Sequence, residues 1–445
     1  MAKVLTAKTL LSRHVSRRDR ILLVNPPVEE TRYSWIRWNQ PLDLLKIGGH
    51  LRERIRCSVE LLDFMKPDAD GHVLEQWLPG SRRSLTLGDH RYPMRRYGAP
   101  YERLTDWVIN QRAINPKLLP TQVWITSLCA YWFESVAQLC RVARQALPEA
   151  QVTVIGQYAR LLPNHAADTC AADVIVRDSL PLEDCPAAID LYGDDSPSFM
   201  ALRLNPKAAL LDIKTALQRG LMDFTFFETD VFHEDGEPLA RILSEASQLD
   251  ARARFHVICG ASVQTLTRKM ARLVAADNIV ELHLEAPDND GVDPVALYTQ
   301  ARAYLAESGM QIPSRRLSGF VWLGRPTDAL SSLVKQCLCV LANLGSFILK
   351  PYTPTPGSAT HLQHETYLRT IPQQQWSPHL FPFSDLTGIS RSEYHDLYRL
   401  AAFLNEKVRS TSFNFLNGTL GSDLLRESLR REVWKLEPTT ISTAN

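Results

Sequence analysis

Three features that define large classes of protein are missing from this 445-residue sequence. It contains no CxxC or CxxxCxxC cysteine motif, and no apolar run approaches the roughly 18–20 residues that span a bilayer. It also lacks a charge excess, since 50 basic and 49 acidic residues leave a net charge of +1. That balance excludes a broad electrostatic surface for nucleic acid or an anionic membrane, so we expect neither as a partner.

The N-terminus also lacks a targeting signal of the secretory kind. Residues 1–20 are basic but contain no apolar core, and we therefore expect a cytoplasmic protein. The eight cysteines are scattered without a paired framework, which favours buried small apolar residues over disulfides.

Strands alternating with helices predict a doubly wound, flavodoxin-like or Rossmann-like sheet over about residues 18–178. Its predicted strands are 21–24, 59–63, 123–127, 152–156 and 174–176, with helices at 41–54 and 134–146. Residues 65–120 interrupt the pattern with a polar, Arg-rich stretch, which we interpret as an insertion with a short helix near 101–108.

In such sheets ligands bind outside the carboxyl ends of the strands. Three predicted loops lie at those ends: Asn25-Pro26-Pro27, Thr126-Ser127-Leu128 and Gly156-Gln157-Tyr158. We expect them to converge on one crevice.

A second series of strands and helices follows a Pro-containing linker at 179–197. It holds six βα repeats between about residues 198 and 350, fewer than the eight of a closed barrel, and so predicts a partial, open barrel. The chain then becomes Pro-rich from Tyr352 and ends with helices predicted at about 390–408 and 423–435.

Several segments, taken in order, resemble a known family. They are Ile21–Pro27, Pro41-Leu42, Tyr97–Pro100, Thr126–Phe133, Gly156–Ala166, Phe226–Asp230, His283–Ala286 and Tyr352–Ser358. From about residue 20 to 410 they are similar to cobalamin-dependent radical S-adenosylmethionine proteins. The resemblance implies a cobalamin-binding domain at 18–178, a radical-SAM-like partial barrel at 198–358 and a helical extension at 359–445.

The chain departs from that family at one decisive place. The family's barrel begins with a strand followed by CxxxCxxC, whose thiolates hold a four-iron cluster. Here the first barrel strand, 198–204, runs through Asn205-Pro206-Lys207 directly into a helix. Cys185 precedes this strand and Cys259 lies two strands later, so we predict a degenerate member with no iron–sulfur cluster and no reductive cleavage of S-adenosylmethionine.

The resemblance implies a cobalamin site built from the three crevice loops together with Tyr131 and Trp132. Residues 25–30 contain no His to ligate cobalt, as in the radical branch of the family. Gln157 occupies the position at which most members have a second Gly, and its longer side chain narrows the crevice. The alternative is a retained scaffold with an empty or different ligand site, in which Tyr131 and Trp132 pack between domains.

The barrel's acids form a weaker candidate site. Glu228, Asp230 and Glu285 fall at strand ends, where a pocket for S-adenosylmethionine would gather its polar groups. Because no cluster is predicted, we favour a structural role for these acids, either as helix N-caps or as solvated loop residues. His361 and His364 lack the HExxH order and are interpreted as a surface pair, so we predict no metal site, and no catalytic residue is identifiable.

Three hypotheses for function remain. The first is a cluster-free cobalamin-binding protein, either a non-catalytic partner of an intact radical SAM homologue or other biosynthetic enzyme, or a non-radical enzyme such as a methyl carrier. The second is an active cobalamin-dependent radical SAM methyltransferase or related enzyme with an unusual cluster site. The third is an interaction scaffold with no cofactor.

Overall fold

The computed structural model describes residues 2–32, 38, 40–68, 70–87, 90–180, 182, 185–193, 197–228, 231–276, 278–286, 294–312, 314 and 316–410. No helix within these ranges is long and apolar enough to cross a membrane. The predicted helix at 423–435 lies outside the described residues.

Sixteen strands are present in the described part of the chain. They are β1 Lys3–Leu5, β2 Arg20–Asn25, β3 Val28–Thr31, β4 Ser58–Asp63, β5 Glu75–Trp77, β6 Ser84–Leu87, β7 His90–Tyr97, β8 Gln122–Ile125, β9 Gln151–Val154, β10 Val174–Val176, β11 Met200–Leu202, β12 Asp223–Phe226, β13 Arg254–Ser262, β14 Ile279–Glu285, β15 Leu317–Leu323 and β16 Phe347–Pro351.

The α-helices of the same ranges follow. They are α1 Ala7–Arg13, α2 Leu42–His50, α3 Glu102–Ile114, α4 Phe133–Ala146, α5 Gln157–Leu161, α6 Pro163–Thr169, α7 Pro206–Leu217, α8 Glu237–Leu249, α9 Arg268–Val274, α10 Pro294–Glu307, α11 Leu330–Leu344, α12 Ala359–Gln363, α13 Glu365–Leu368, α14 Ser384–Thr387 and α15 Arg391–Ser410.

The first parallel sheet has the strand order β1-β10-β9-β8-β2-β4. Without its edge strand β1, this is the flavodoxin-like order, so the predicted α/β fold class is confirmed. β2 shows why the sheet forms here: Leu22 and Val24 enter the core on one face of the sheet, and Ile21 and Leu23 enter the core on the other. A strand buried on both faces requires this continuous apolar run.

The insertion is richer than the sequence indicated. Its helix, α3, is longer than the predicted 101–108, and three strands accompany it. β3, β5 and β6 pair antiparallel with β7, so the segment immediately after the first crevice loop belongs to this small sheet.

The second parallel sheet follows chain order from β11 to β16, with helices between the strands. This agrees with the predicted six-stranded partial barrel. The predicted helix at 390–408 corresponds to α15.

The chain divides into two compact units. The described residues of Met1–Phe224, Ser244–Ala253 and Thr353–Pro382 form the first unit, and those of Thr225–Leu243, Arg254–Tyr352 and Phe383–Asn445 form the second. The Pro-rich segment after Tyr352 therefore returns to the first unit.

Candidate functional site

The three crevice loops lie side by side at the carboxyl ends of β9, β8 and β2, which are neighbours in the first sheet. The chain passes from β2 to β4 on one side and from β8 to β9 on the other side. The point between β2 and β8 is therefore the topological switch point, where open α/β sheets bind their ligands.

A backbone hydrogen bond joins two of these loops, because the amide of Gln157 donates to the carbonyl of Ser127 over 2.9 Å. The amide of Thr126, in the second loop, donates to the carbonyl of Val24 in β2 over 3.1 Å. Gly156 has a φ of +89°, and a Cβ at this position would lie 2.9 Å from the Ser127 carbonyl oxygen. The close approach of the Ser127 loop thus requires glycine here.

The loop residues differ in their access to solvent. Pro26, Pro27, Thr126 and Ser127 are buried, whereas Leu128 and Gln157 are exposed. Tyr158 is fully buried, and its hydroxyl lies 2.7 Å from Nδ1 of His165. Of the predicted residues, Leu128 and Gln157 therefore present the most open surface to a ligand.

Asp63 organises the neighbouring strand end, a role that the sequence did not reveal. Its buried carboxylate accepts hydrogen bonds from Asn25 Nδ2 at 2.7 Å, Trp38 Nε1 at 2.9 Å, the Tyr192 hydroxyl at 2.8 Å and the Met65 amide at 2.9 Å. Burial raises the pKa of Asp63, and these donors oppose that effect. The one available signal was its position at the end of a predicted strand.

A groove of about 380 Å³ lies within the first unit. β3, the insertion, the start of α4 and residues 372–380 supply its walls. The lining residues are Glu29, Glu30, Leu78, Arg82, Ser84, Leu85, Met94, Tyr131, Trp132, Glu134, Ser135, Pro372, Gln374, Gln375 and Leu380.

Two adjacent carboxylates of the groove are held by protein groups. Glu29 forms ion pairs with Arg82 and with Arg96 and accepts a hydrogen bond from the Tyr101 hydroxyl. Glu30 accepts hydrogen bonds from Trp132 Nε1 at 3.3 Å and from the Ser377 hydroxyl at 2.7 Å. These contacts fix both acids immediately after the first crevice loop.

The returning segment holds the start of α4 in place. Gln373 Nε2 donates to the carbonyl of Ala130 over 2.7 Å, and Gln374 Nε2 donates to Glu134 over 2.9 Å. Between these contacts, Tyr131 and Trp132 meet edge to face, with ring centroids 5.4 Å apart. The predicted aromatic pair thus lines the groove together with residues that lie some 240 positions away.

In the second unit, Glu228 and Glu285 both lie near Cys259. Burial raises the pKa of this thiol, the charge of Lys350 opposes the rise, and the charges of Glu285 and Glu228 add to it. Glu285 accepts from Trp322 Nε1 at 3.0 Å and pairs with Lys350 Nζ at 2.9 Å. Lys350 therefore already supplies a cation to this predicted ligand residue, while Asp230 lies outside the described residues.

The described residues contain no group of three His, Cys, Asp or Glu side chains placed to hold a metal ion. Cys185 Sγ lies 3.4 Å from His50 Nδ1, and the ring of His361 packs edge to face on Trp376. Between β11 and α7 the chain has only residues 203–205, and Asn205 caps the helix through the Ala208 amide.

No protein-family model matches the sequence, and no curated protein matches it. A solved structure that resembles this chain is a radical S-adenosylmethionine methyltransferase, TsrM, from Kitasatospora setae, with cobalamin and a 4Fe-4S cluster bound. The match covers 79% of this chain and 78% of that chain, with 11% identity and a TM-score of 0.47.

Proposed function

We propose that this chain binds cobalamin at the carboxyl edge of its first parallel sheet and has no radical S-adenosylmethionine cluster. One observation carries the proposal: the loops after β2, β8 and β9 meet at the switch point of a sheet in flavodoxin-like order. Three of the segments that resemble cobalamin-dependent proteins, Ile21–Pro27, Thr126–Phe133 and Gly156–Ala166, include these same loops.

The groove beside the loops fits one side of a corrin ring. Corrins carry amide groups around their rim, and Arg82, Gln374 and Gln375 offer donors and acceptors for such groups. Tyr131 and Trp132 add aromatic surface. Drug-sized ligands occupy roughly 300–1,000 Å³ and cobalamin is larger, so a groove of about 380 Å³ accommodates only part of it.

When bound, cobalamin supplies the cobalt–carbon bond chemistry. The protein would position the cofactor. Glu29 and Glu30 form a fixed part of the groove wall, because each carboxylate is held by its own protein partners. The segment 25–30 contains no His and its two acids are held by protein groups, so this segment would hold cobalamin through packing and backbone contacts and not through a metal-ligating side chain.

The short connection after the first strand of the second sheet supports the absence of a cluster. Three residues, 203–205, join β11 to α7, and none of them is cysteine. A CxxxCxxC loop needs three thiolates at this place. Two roles are consistent with the proposal: a non-catalytic partner of a homologous or other biosynthetic enzyme, and a cobalamin-dependent enzyme without radical initiation.

The test divides one anaerobic preparation of the full chain in two. After loading with hydroxocobalamin and desalting, we expect about one corrin per chain in the absorption spectrum. After reconstitution with iron and sulfide, we expect no stoichiometric iron. A colourless product would refute cobalamin binding and favour the cofactor-free scaffold. About three or more irons per chain, with release of 5′-deoxyadenosine, would establish the active enzyme instead.

Shortening Gln157 is expected to tighten cobalamin binding. This exposed side chain begins α5 on a crevice loop, so Gln157→Gly removes an obstruction, and we expect the affinity for hydroxocobalamin to rise by about 3–10-fold. Equilibrium dialysis measures the change. Gln218→Gly, at the exposed C-cap of α7, is the matched control and should leave the affinity unaltered. If Gln157→Gly binds hydroxocobalamin no more tightly than the parent, the prediction that Gln157 narrows the crevice is wrong.

A further inference from the structure

The insertion sheet has a second face, most of which lies away from the groove. Side chains alternate along β7, so Tyr92 and Met94 point to one side while Arg91 and Arg95 point to the other. Tyr92 is buried with Leu380, and Met94 lines the groove. The opposite side also carries Ser84, which reaches the groove, and Tyr97, which is buried. Its more exposed part, which we call the outer face, comprises Trp77, Arg83, Thr86, Arg91 and Arg95.

The outer face exposes an aromatic ring with two guanidinium groups near it. Trp77 is 43% exposed, and it lies directly opposite Arg95 in the register of β5 and β7. The Arg95 guanidinium lies 4.4 Å from the ring centroid of Trp77, and that of Arg83 lies 5.4 Å from it. Trp and Arg are the residues most often found at interaction hot spots.

Positive charge on this face is only partly compensated. Arg95 pairs with Glu75, while Arg91 donates to the Ser84 hydroxyl over 2.7 Å. Neither Arg83 nor Arg91 forms an ion pair with any residue that the structure describes. The chain as a whole carries a charge of only +1, so this face is a local cationic surface.

Among the residues that the structure describes, no strand pairs with the outer edge of β5. β5 lies at the end of the order β3-β7-β5, and its three residues are all exposed. An exposed strand edge presents unpaired amides and carbonyls, to which an extended peptide can add as a further strand.

We infer that the outer face and the edge of β5 form a docking surface for an extended acidic segment of a partner protein. The segment pairs its backbone with β5 and sets its carboxylates against Arg83 and Arg91, while an apolar residue rests on Trp77. This inference deepens the partner role proposed above, but it rests on no cofactor. A peptide fits better than nucleic acid, because the cationic surface is short and lies beside a free strand edge.

The test measures fluorescence anisotropy of a labelled peptide of about ten residues, alternating Glu and Val, with the full chain. We expect Trp77→Ala to weaken binding by about tenfold or more, and Arg83→Ala and Arg91→Ala by about threefold each. Raising salt from about 50 to 300 mM should weaken binding by about fivefold. Arg17→Ala, another exposed arginine, is the matched control and should have no effect.

Several outcomes would overturn the inference. They are equal binding of a Lys–Val peptide, undiminished binding of a peptide with central prolines, absence of binding, and tighter binding of a single-stranded oligonucleotide than of the Glu–Val peptide. Trp77, Arg83 and Arg91 are all exposed, so their variants keep the fold. Cobalamin retention by the same variants, expected to be unchanged, separates failure of this surface from failure of the proposed cofactor site.

Discussion

Lys46→Met is expected to destabilise the first unit by about 3–5 kcal/mol, because it leaves a buried carboxylate without its cation. Lys46 Nζ lies 2.7 Å from Asp212 Oδ2, and both side chains are at most 4% exposed. Lys46 also donates to the Cys185 carbonyl over 3.2 Å, and Asp212 accepts from the Ala187 amide over 2.8 Å. The pair therefore ties α2, α7 and the intervening segment together.

The loss should depend on pH in a defined direction. Burial raises the pKa of Asp212, and Lys46 opposes that rise, so removal of Lys46 raises the pKa further. A carboxyl whose folded-state pKa is raised costs stability once the pH exceeds its unfolded-state pKa, and the cost stops growing above the raised pKa. Because the pKa of Asp212 is higher in the variant than in the parent, the deficit should be smallest in acid, grow as the pH rises toward the variant's raised pKa, and be constant above it.

Urea unfolding followed by circular dichroism measures this effect. The double variant Lys46→Met with Asp212→Leu removes both charges, and we expect it to recover most of the lost stability. Arg52→Met is the matched control, since Arg52 pairs with Asp190 at the surface and should cost under about 1 kcal/mol. A single variant as stable as the parent, or a double variant worse than the single, would contradict this role.

Gly156→Ala is expected to cost about 2–6 kcal/mol and to disrupt the crevice. Gly156 has a φ of +89° and a ψ of −168°, a backbone conformation that costs a residue with a Cβ about 1–3 kcal/mol. The new methyl group would also press on Thr126 and on the Ser127 backbone, and overpacking adds about 1–3 kcal/mol. Because the Ser127 loop must shift, cobalamin retention should fall with stability.

Gly220→Ala provides the comparison for this prediction. Gly220 has a φ of +80° in the same unit, but a Cβ there meets nothing within 4 Å. It therefore reports the cost of a positive φ without a steric clash, about 1–2 kcal/mol. Equal losses for the two glycine variants in urea unfolding would show that the loops do not constrain each other.

The parallel strands were predictable because a strand that is buried on both faces requires a continuous apolar run, which is visible in the sequence. The run Ile21-Leu22-Leu23-Val24 has no polar interruption, and it forms β2 as expected. β1 and β3 were missed for the opposite reason. Lys3–Leu5 and Val28–Thr31 are too short and too polar to show a pattern, and each becomes a strand only by pairing with a distant partner.

The candidate site, like the fold, was predictable only in part. Strand ends predicted the three crevice loops, because the position of a loop in such a sheet follows from topology. No local pattern could indicate that Asp63 gathers Asn25, Trp38 and Tyr192, or that Ser377 reaches Glu30. Such contacts join residues up to 347 positions apart, and they exist only after the chain has folded.

The return of residues 353–382 to the first unit has a consequence for synthesis. When Phe224 leaves the ribosome, the wall of the groove that carries Gln373, Gln374 and Ser377 has not yet been translated. At about 5–20 residues per second, that wall follows roughly 8–30 seconds later. In a nascent chain Glu30 and Trp132 therefore remain uncovered during this interval, and the groove is completed only after residues 225–352 have been synthesised.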